Sequence, residues 1–202
     1  VSGGHSHIVL VRDYTSFEVL GRTRDDAAGE ALDKAARAMG LPYPGGANLD
    51  VMAKGGDHKA FSFPHPRVDG SQLDFSFSGL KTSVINLLHR AEQKGETLDL
   101  RDLGASYQWA VADCLIQNTM KAIEITGQKK LVIAGGVSAN SVLRDRLRRV
   151  CDRQNIDLYL PSLNLCGDNA AMVGAQGYYE YRSGNIANLL LNATASLAID
   201  YR

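Results

Sequence analysis

The chain holds one tryptophan, five prolines and three cysteines among 202 residues, and it carries no net charge. Each shortage excludes something. Cys114, Cys151 and Cys166 are odd in number and show no CxxC spacing. They do not make a disulfide framework or a zinc ribbon, and free thiols fit a reducing compartment. The 22 Lys and Arg residues are matched by 22 Asp and Glu residues. A chain that grips nucleic acid over its whole surface shows a basic excess, so any RNA contact must rest on a local patch or on a partner. No apolar run approaches the ~20 residues that cross a membrane, and no signal-peptide pattern is present. Heptads, repeats and low-complexity tracts are also missing, which leaves out coiled coils and solenoids.

The rest is ordinary globular usage, 45% hydrophobic and 22% charged. A chain of this length buries ~70% of the surface its unfolded form exposes, so it needs neither disulfide nor metal to hold a core. The opening Val1-Ser2-Gly3-Gly4-His5 has no Met and almost none of the strand that should lead into a glycine turn. It reads as a piece cut from a longer protein.

Residues 7–12 and 16–20 predict a hairpin around Asp13, Tyr14 and Thr15. Asp25 or Asp26 is expected to cap a helix with a small alanine face, ended by Gly40, and a short helix is expected at 47–54. Residues 55–72 read as loop or flap, with one short strand at 60–63. Strict alternation predicts a strand at 73–77, followed by helices at 80–93 and 100–126. An apolar strand at 130–134 is broken by Gly135-Gly136, with a helix resuming at 138–153 and a strand at 157–160. A last helix is expected at 168–183, with a tail of little pattern after it. Strands alternating with helices in the second half argue for an α/β fold.

Two glycine turns are the first candidates for chemistry. At Gly135-Gly136-Val137-Ser138-Ala139-Asn140 a buried strand ends and a helix begins. That arrangement leaves backbone N–H groups and a helix dipole facing a crevice where a phosphate or ribose fits. The alternative is a plain strand-to-helix turn. Val1-Ser2-Gly3-Gly4-His5 makes a second tight turn whose N–H groups can cradle an anion, or an ordinary β-turn. His5 and His7 share a strand face, the spacing of a metal pair or of two solvated histidines. Asp168, before a helix, is either an N-cap or a carboxylate facing a metal or phosphate. Asp26, Glu30 and Asp33 crowd one helical face, so a cation, a ligand hydroxyl, or Lys34 and Arg37 must compensate. Arg144, Arg146, Arg148, Arg149 and Arg153 form either a solvated face or a phosphate contact. Trp109 and Tyr107 read as core.

Six motifs in sequence carry a family resemblance: Val1-Ser-Gly-Gly-His5, Asp25-Asp-Ala-Ala-Gly-Glu-Ala-Leu-Asp-Lys34, Tyr43-Pro-Gly-Gly46, Asp74-Phe-Ser-Phe-Ser-Gly-Leu-Lys-Thr82, Gly135-Gly-Val-Ser-Ala-Asn-Ser141 and Cys166-Gly-Asp-Asn-Ala-Ala-Met172. Together they resemble the bacterial TsaD family, formerly called Gcp, glycoprotease or O-sialoglycoprotein endopeptidase. The resemblance implies the actin, sugar-kinase and Hsp70 ATPase (RNase H-like) fold. It implies a rear nucleotide-binding lobe at about 1–167, a C-terminal helix and tail at about 168–202, and a front lobe lying outside this chain. The implied activity is transfer of threonylcarbamoyl from threonylcarbamoyl-AMP to N6 of the adenosine beside the anticodon, in tRNAs reading codons that start with A.

The same resemblance assigns residues. Val1, Ser2, Gly3 and Gly4 would cradle the phosphate and carbamoyl region of the adenylate. Asp33, Gly46 and Asp50 would hold the ribose and the rim of the adenine pocket, and Gly135, Gly136 and Asn140 would line the nucleotide. Asp168 would be one ligand of a divalent iron or zinc ion. The other two ligands, a histidine pair, lie upstream of the first turn in the family, so this chain by itself is expected to be inactive. TsaB-like and TsaE-like proteins, tRNA and a cytoplasmic setting are implied as well, with no membrane. Pro64-His65-Pro66 departs from the family pattern, which has an arginine after the proline. Two other readings stand beside the transferase. A nucleotide-binding scaffold of the same fold is one. A metallo-endopeptidase is the other, though the HExxH pattern it would need is missing.

Overall fold

The computed structural model describes residues 1–195 and 197–200. β1 (His7–Asp13) and β2 (Ser16–Arg22) form because Ile8, Val9, Leu10 and Val11 meet Phe17, Val19 and Leu20 across a tight turn. Asp13 stabilises that turn by accepting the Tyr14 N–H at 2.7 Å. The pair is antiparallel, from His7 opposite Arg22 to Asp13 opposite Ser16. β3 (Lys130–Val132) and β4 (Asp157–Tyr159) pair in parallel, joined by α5 (Ser141–Gln154). A parallel pair needs such a crossover, and the unit makes this an α/β protein.

The remaining helices surround an apolar centre. α1 (Ala28–Ala38) turns Ala28, Ala31, Leu32, Ala35 and Ala36 inward. Alanine keeps that face thin, so α2 (Gly45–Met52) can approach closely. A Cβ on Gly45 would lie 2.9 Å from the Asp33 Cα. α3 (Ser78–Lys94) adds Leu80 and Val84, and α4 (Leu100–Thr126) runs through the centre with Leu103, Tyr107 and Val111 buried. Asp99 caps α4 by accepting the N–H groups of Arg101 and Asp102, and Gly127 ends it at φ 67°. The Tyr107 hydroxyl donates to the Ala31 carbonyl at 3.0 Å, tying α4 to α1. α6 (Ala170–Arg182) has no buried residue. It meets β1 and its turn through a Tyr14–Tyr179 ring stack at 3.8 Å and a Gln176 hydrogen bond to the Tyr14 carbonyl.

Four sequence expectations are corrected. Residues 73–77 do not form a strand. Phe75 exchanges two backbone bonds with Arg22 and Arg24, and the pairing stops there. The alternation arises because Phe75 and Phe77 enter the core while Asp74, also buried, binds Arg24. Nor is there a strand at 60–63, where Ser106 Oγ takes the Phe61 N–H. The helix expected at 138–153 starts at Ser141, after a 3-10 turn over Gly136–Ala139. Finally, neither Asp25 nor Asp26 caps α1. Ser6 Oγ accepts the Ala28 N–H at 3.0 Å from a distant point in the chain. Asp25 reaches α3 instead, accepting from the N–H groups of Phe77 and Ser78 and from both flanking serine hydroxyls.

The crowded acids also resolve. Lys34 bridges Asp26 and Glu30, and Lys81 bonds Asp26 at 2.7 Å. Burial pushes the Asp26 carboxyl up, but the two lysines more than offset this and hold it below the usual carboxylate range. Among the described residues no helix is long and apolar enough to cross a membrane.

Candidate functional site

Three chain turns meet between α1, α2 and the start of α5. The first is the Val1–His5 turn, closed by the Ser2 N–H to the His5 carbonyl at 2.8 Å. The second is the Tyr43–Gly46 entry to α2. The third is Gly135–Asn140. Their packing is close enough to demand glycine. A Cβ at Gly29 would stand 2.7 Å from the Ser2 carbonyl oxygen, so the first turn of α1 presses directly on the Ser2–Gly3 backbone. Gly135 has φ 92°, and a Cβ there would lie 2.4 Å from the Val1 carbonyl oxygen. That carbonyl accepts the Val137 N–H, which locks the two glycine turns side by side.

Between these turns lies a cleft of about 450 Å³. Six of the ten residues expected to bind nucleotide line it: Gly3, Asp33, Gly46, Asp50, Gly136 and Asn140. The N–H groups of Gly3 and Gly4 have no acceptor among the described residues, and both glycines are exposed. Asp33 accepts the Gly46 N–H on Oδ1 at 2.7 Å, and its Oδ2 has no partner among the described residues. Asp50 is more committed. Its carboxylate accepts from Asn140, the Ser141 N–H and the Ser141 hydroxyl. The cleft thus offers one half-free carboxylate on Asp33 and the free N–H of Gly3, a pairing that suits hydroxyls and a phosphate, while the first N–H groups of α1 are spent on Ser6 and Ser2.

The other expected residues lie elsewhere. Val1, Ser2, Gly135 and Asp168 border a second, apolar cavity of about 470 Å³ between β1 and β3. Gly4 lines neither cavity. Asp168 is exposed and does not cap α6. Asn169 does, accepting the Met172 N–H. Among the described residues no three His, Cys, Asp or Glu side chains converge to hold a metal. His5 and His7 stack loosely at 5.5 Å, and burial together with His5 and Arg22 pushes His7 below its ordinary value. This donor set does not by itself fit a metal centre, and no chemistry is routed through one.

The arginines divide. Arg144 is drawn inward to the carbonyls of Ser138 and Pro161, and Arg146 covers the Trp109 ring at 3.9 Å while pairing with Asp113. Arg148 pairs with Asp145 on its own helix. Trp109 is half-buried rather than core, held between Arg146 and the His58 ring at 3.9 Å. Burial pushes the Cys114 thiol up to about 12, which removes it as a nucleophile.

Sequence reasoning missed two residues that lie behind the cleft wall. Ser6, fully buried, fixes the start of α1. Gln108, 2% exposed, binds Asn140 from inside α4. The sequence carries no signal for Gln108, because the unbroken burial from Leu103 to Gln108 that makes a carboxamide there notable is a property of the fold.

Residues 1–175 match the TsaD family, described as tRNA N6-adenosine threonylcarbamoyltransferase. A protein of that name from Clostridium botulinum (strain 657 / Type Ba4) is 48% identical over 202 residues, all of this chain and 59% of its own length. One from Clostridium perfringens (strain SM101 / Type A) is 47% identical over the same 202 residues, 60% of its length. The chain therefore spans about three-fifths of the curated relatives it matches.

Proposed function

The chain belongs to the TsaD family of tRNA N6-adenosine threonylcarbamoyltransferases, and from that premise we propose that it forms the nucleotide-binding part of an enzyme that moves threonylcarbamoyl from its adenylate to tRNA. The observation that carries the reading is the cleft itself. Gly3, Asp33, Gly46, Asp50, Gly136 and Asn140 come from widely separated segments of the chain and face one cavity.

In this reading the fold is that of the actin, sugar-kinase and Hsp70 ATPases, with residues 1–167 as the rear lobe and 168–202 as a C-terminal segment. Asp33 Oδ2 accepts from a ribose hydroxyl, because Oδ1 is already committed to Gly46. The free N–H of Gly3 meets the phosphate and the carbonyl oxygen of the carbamoyl group, where negative charge grows during transfer. The N6 amine of adenosine attacks the carbamoyl carbon. A C–N bond forms, the C–O bond to phosphate breaks, AMP leaves, and the amine proton passes to solvent. Among the described residues the cleft lining holds no cysteine, serine or histidine, which supports direct transfer over a covalent enzyme intermediate. Asp168 alone does not make a metal centre, so an iron- or zinc-type ion that used it would need its other ligands from outside the described residues. The tRNA, TsaB-like and TsaE-like partners and the cytoplasmic setting belong to the same proposal.

Titration of the 202-residue chain with AMP tests the cleft. Binding is expected, and Asp33→Asn is expected to weaken it about tenfold, the worth of one charge-assisted hydrogen bond. Wild-type and variant binding with equal affinity, or no binding at all, overturns the assignment. The transfer is tested by joining this chain to the front lobe of a relative and supplying tRNA and threonylcarbamoyl-AMP. Threonylcarbamoyladenosine in the digested tRNA is the expected product. AMP binding without that product would favour a nucleotide-binding scaffold.

A further inference from the structure

Two walls of the cleft are joined by a run of hydrogen bonds whose direction is fixed at both ends. The Leu143 backbone N–H donates to Asn140 Oδ1 at 3.0 Å. An N–H can only donate, so Asn140 must turn its oxygen to Leu143 and its nitrogen inward. That Nδ2 donates to Gln108 Oε1 at 2.5 Å. Gln108 then has Nε2 for the Leu49 carbonyl at 3.4 Å, and a carbonyl can only accept. Flipping either carboxamide would set donor against donor or acceptor against acceptor at both of its contacts. The second hydrogen on Asn140 Nδ2 goes to Asp50 Oδ1 at 3.3 Å.

Gln108 adds no atom to the cleft wall. It sits behind that wall on α4, near Leu32, Val111, Val137 and Leu143. Burying a carboxamide among apolar side chains is costly unless each polar atom is satisfied. A methionine would fill nearly the same volume with nothing to desolvate, so packing alone does not call for glutamine. What glutamine adds is orientation. It accepts from the α5 side and donates to the α2 side, and these are the two walls that carry Asn140 and Asp50.

We propose that Gln108 is a positioning residue of the nucleotide cleft: it holds the Asn140 carboxamide in one orientation and ties that wall to α2 through Leu49. The proposal rests on the nucleotide-binding reading above. It predicts that the cleft meets its ligand already spaced, so loss of Gln108 lowers affinity without removing any group that touches the ligand.

The probe is AMP, titrated into the 202-residue chain, with a thermal melt recorded for every variant. Gln108→Met is expected to raise the Kd at least tenfold. Asn140→Ala is expected to weaken binding as well, and adding Gln108→Met to it should change the Kd less than twofold, because the effect runs through Asn140. Gln108→Glu gives a readout that a packing role would not move. Protonated, the acid still accepts from Asn140 and donates to Leu49. Ionised, it has nothing to donate and faces the Asp50 carboxylate, the charged group in this network, with Asp33 on the α1 side of the cleft. Relative to wild type at each pH, its AMP affinity should fall severalfold from pH 5 to pH 8. Folded Gln108→Met that binds within threefold of wild type overturns the proposal, as do fully additive losses in the double variant. Should Gln108→Met fail to fold, a flat Gln108→Glu profile overturns it. If wild type does not bind AMP, the nucleotide reading fails and this inference fails with it. Binding by wild type together with the Gln108 result therefore separates the two failures.

Discussion

Gly135→Ala is expected to unfold the site and cost about 2–5 kcal/mol of stability, the sum of a φ near 90° forced on a Cβ-bearing residue and of a clash with backbone. The added methyl would lie 2.4 Å from the Val1 carbonyl oxygen. That oxygen cannot retreat without losing the Val137 N–H, which is the bond that sets the two glycine turns against each other. AMP affinity should drop by at least a hundredfold or become unmeasurable. Gly136→Ala is the matched control. No heavy atom lies within 4 Å of the Cβ it would add, and Gly136 lines the cleft. Its stability should stay within ~0.5 kcal/mol of wild type, as for an unstrained surface change, while AMP binding weakens because the methyl occupies ligand space. Urea denaturation and AMP titration of both variants check the contrast. Equal stability of the two would show that the Val1 contact relaxes freely.

Asp25→Ala is expected to cost about 2 kcal/mol, the upper range for an N-cap, because one carboxylate serves several donors at the start of α3. Phe77 N, Ser78 N and two serine hydroxyls would lose their acceptor together. The same carboxylate makes the protein acid-sensitive. Burial raises its pKa, but the Ser76 and Ser78 hydroxyls and the two backbone N–H groups pull harder and hold it below the usual range. Asp74 behaves alike. Burial raises it, and the Arg22 N–H and the Arg24 guanidinium prevail. Each group is depressed in the folded state, so at mildly acidic pH the unfolded chain binds more protons. The stability these groups contribute is complete above the ordinary carboxylate pKa and is lost as pH falls through the lower folded value. Urea midpoints at pH 7 and below pH 4 should converge in Asp25→Ala relative to wild type. An unchanged acid slope in the variant would mean that Asp25 is not a source of it.

The parts of the fold that could be read from sequence are those whose signals are local. The β1–β2 hairpin has its turn residues between two apolar runs, and α4 has Asp99 at one end and Gly127 at the other. β3 and β4 announce themselves as short apolar strands around a helix. What could not be read depended on distant partners. Residues 73–77 alternate like a strand, yet the alternation serves two phenylalanines entering the core and an aspartate that finds Arg24. Asp25 has the composition and position of a cap for α1 but is used 52 residues away, on Phe77.

At the cleft the same division holds. The glycine turns stand out by composition, because only glycine tolerates such backbone approaches. That Asp33 faces Gly46, or that Asn140 meets Asp50, follows from the packing of α1 on α2 and of both α2 and α5 on α4, which no local pattern encodes. Those residues came to notice through the family resemblance. Gln108 came from neither source, since one carboxamide in a buried helix looks the same whether it is a packing accident or a strut.

The loose seating of α6 bears on how Asp168 would be used. The helix has no buried residue along its length, and its contacts with the β1–β2 hairpin include the Tyr14–Tyr179 ring stack and the Gln176 hydrogen bond to the Tyr14 carbonyl. The free energy needed to swing it aside is therefore small compared with global unfolding. A ligand that captures the Asp168 carboxylate would have to quench that freedom, and its apparent affinity would report the docking equilibrium of the helix together with the strength of the contact. Anything that presses α6 down from outside would then tighten the site without touching it, so that assembly and ligand capture become two readings of a single equilibrium.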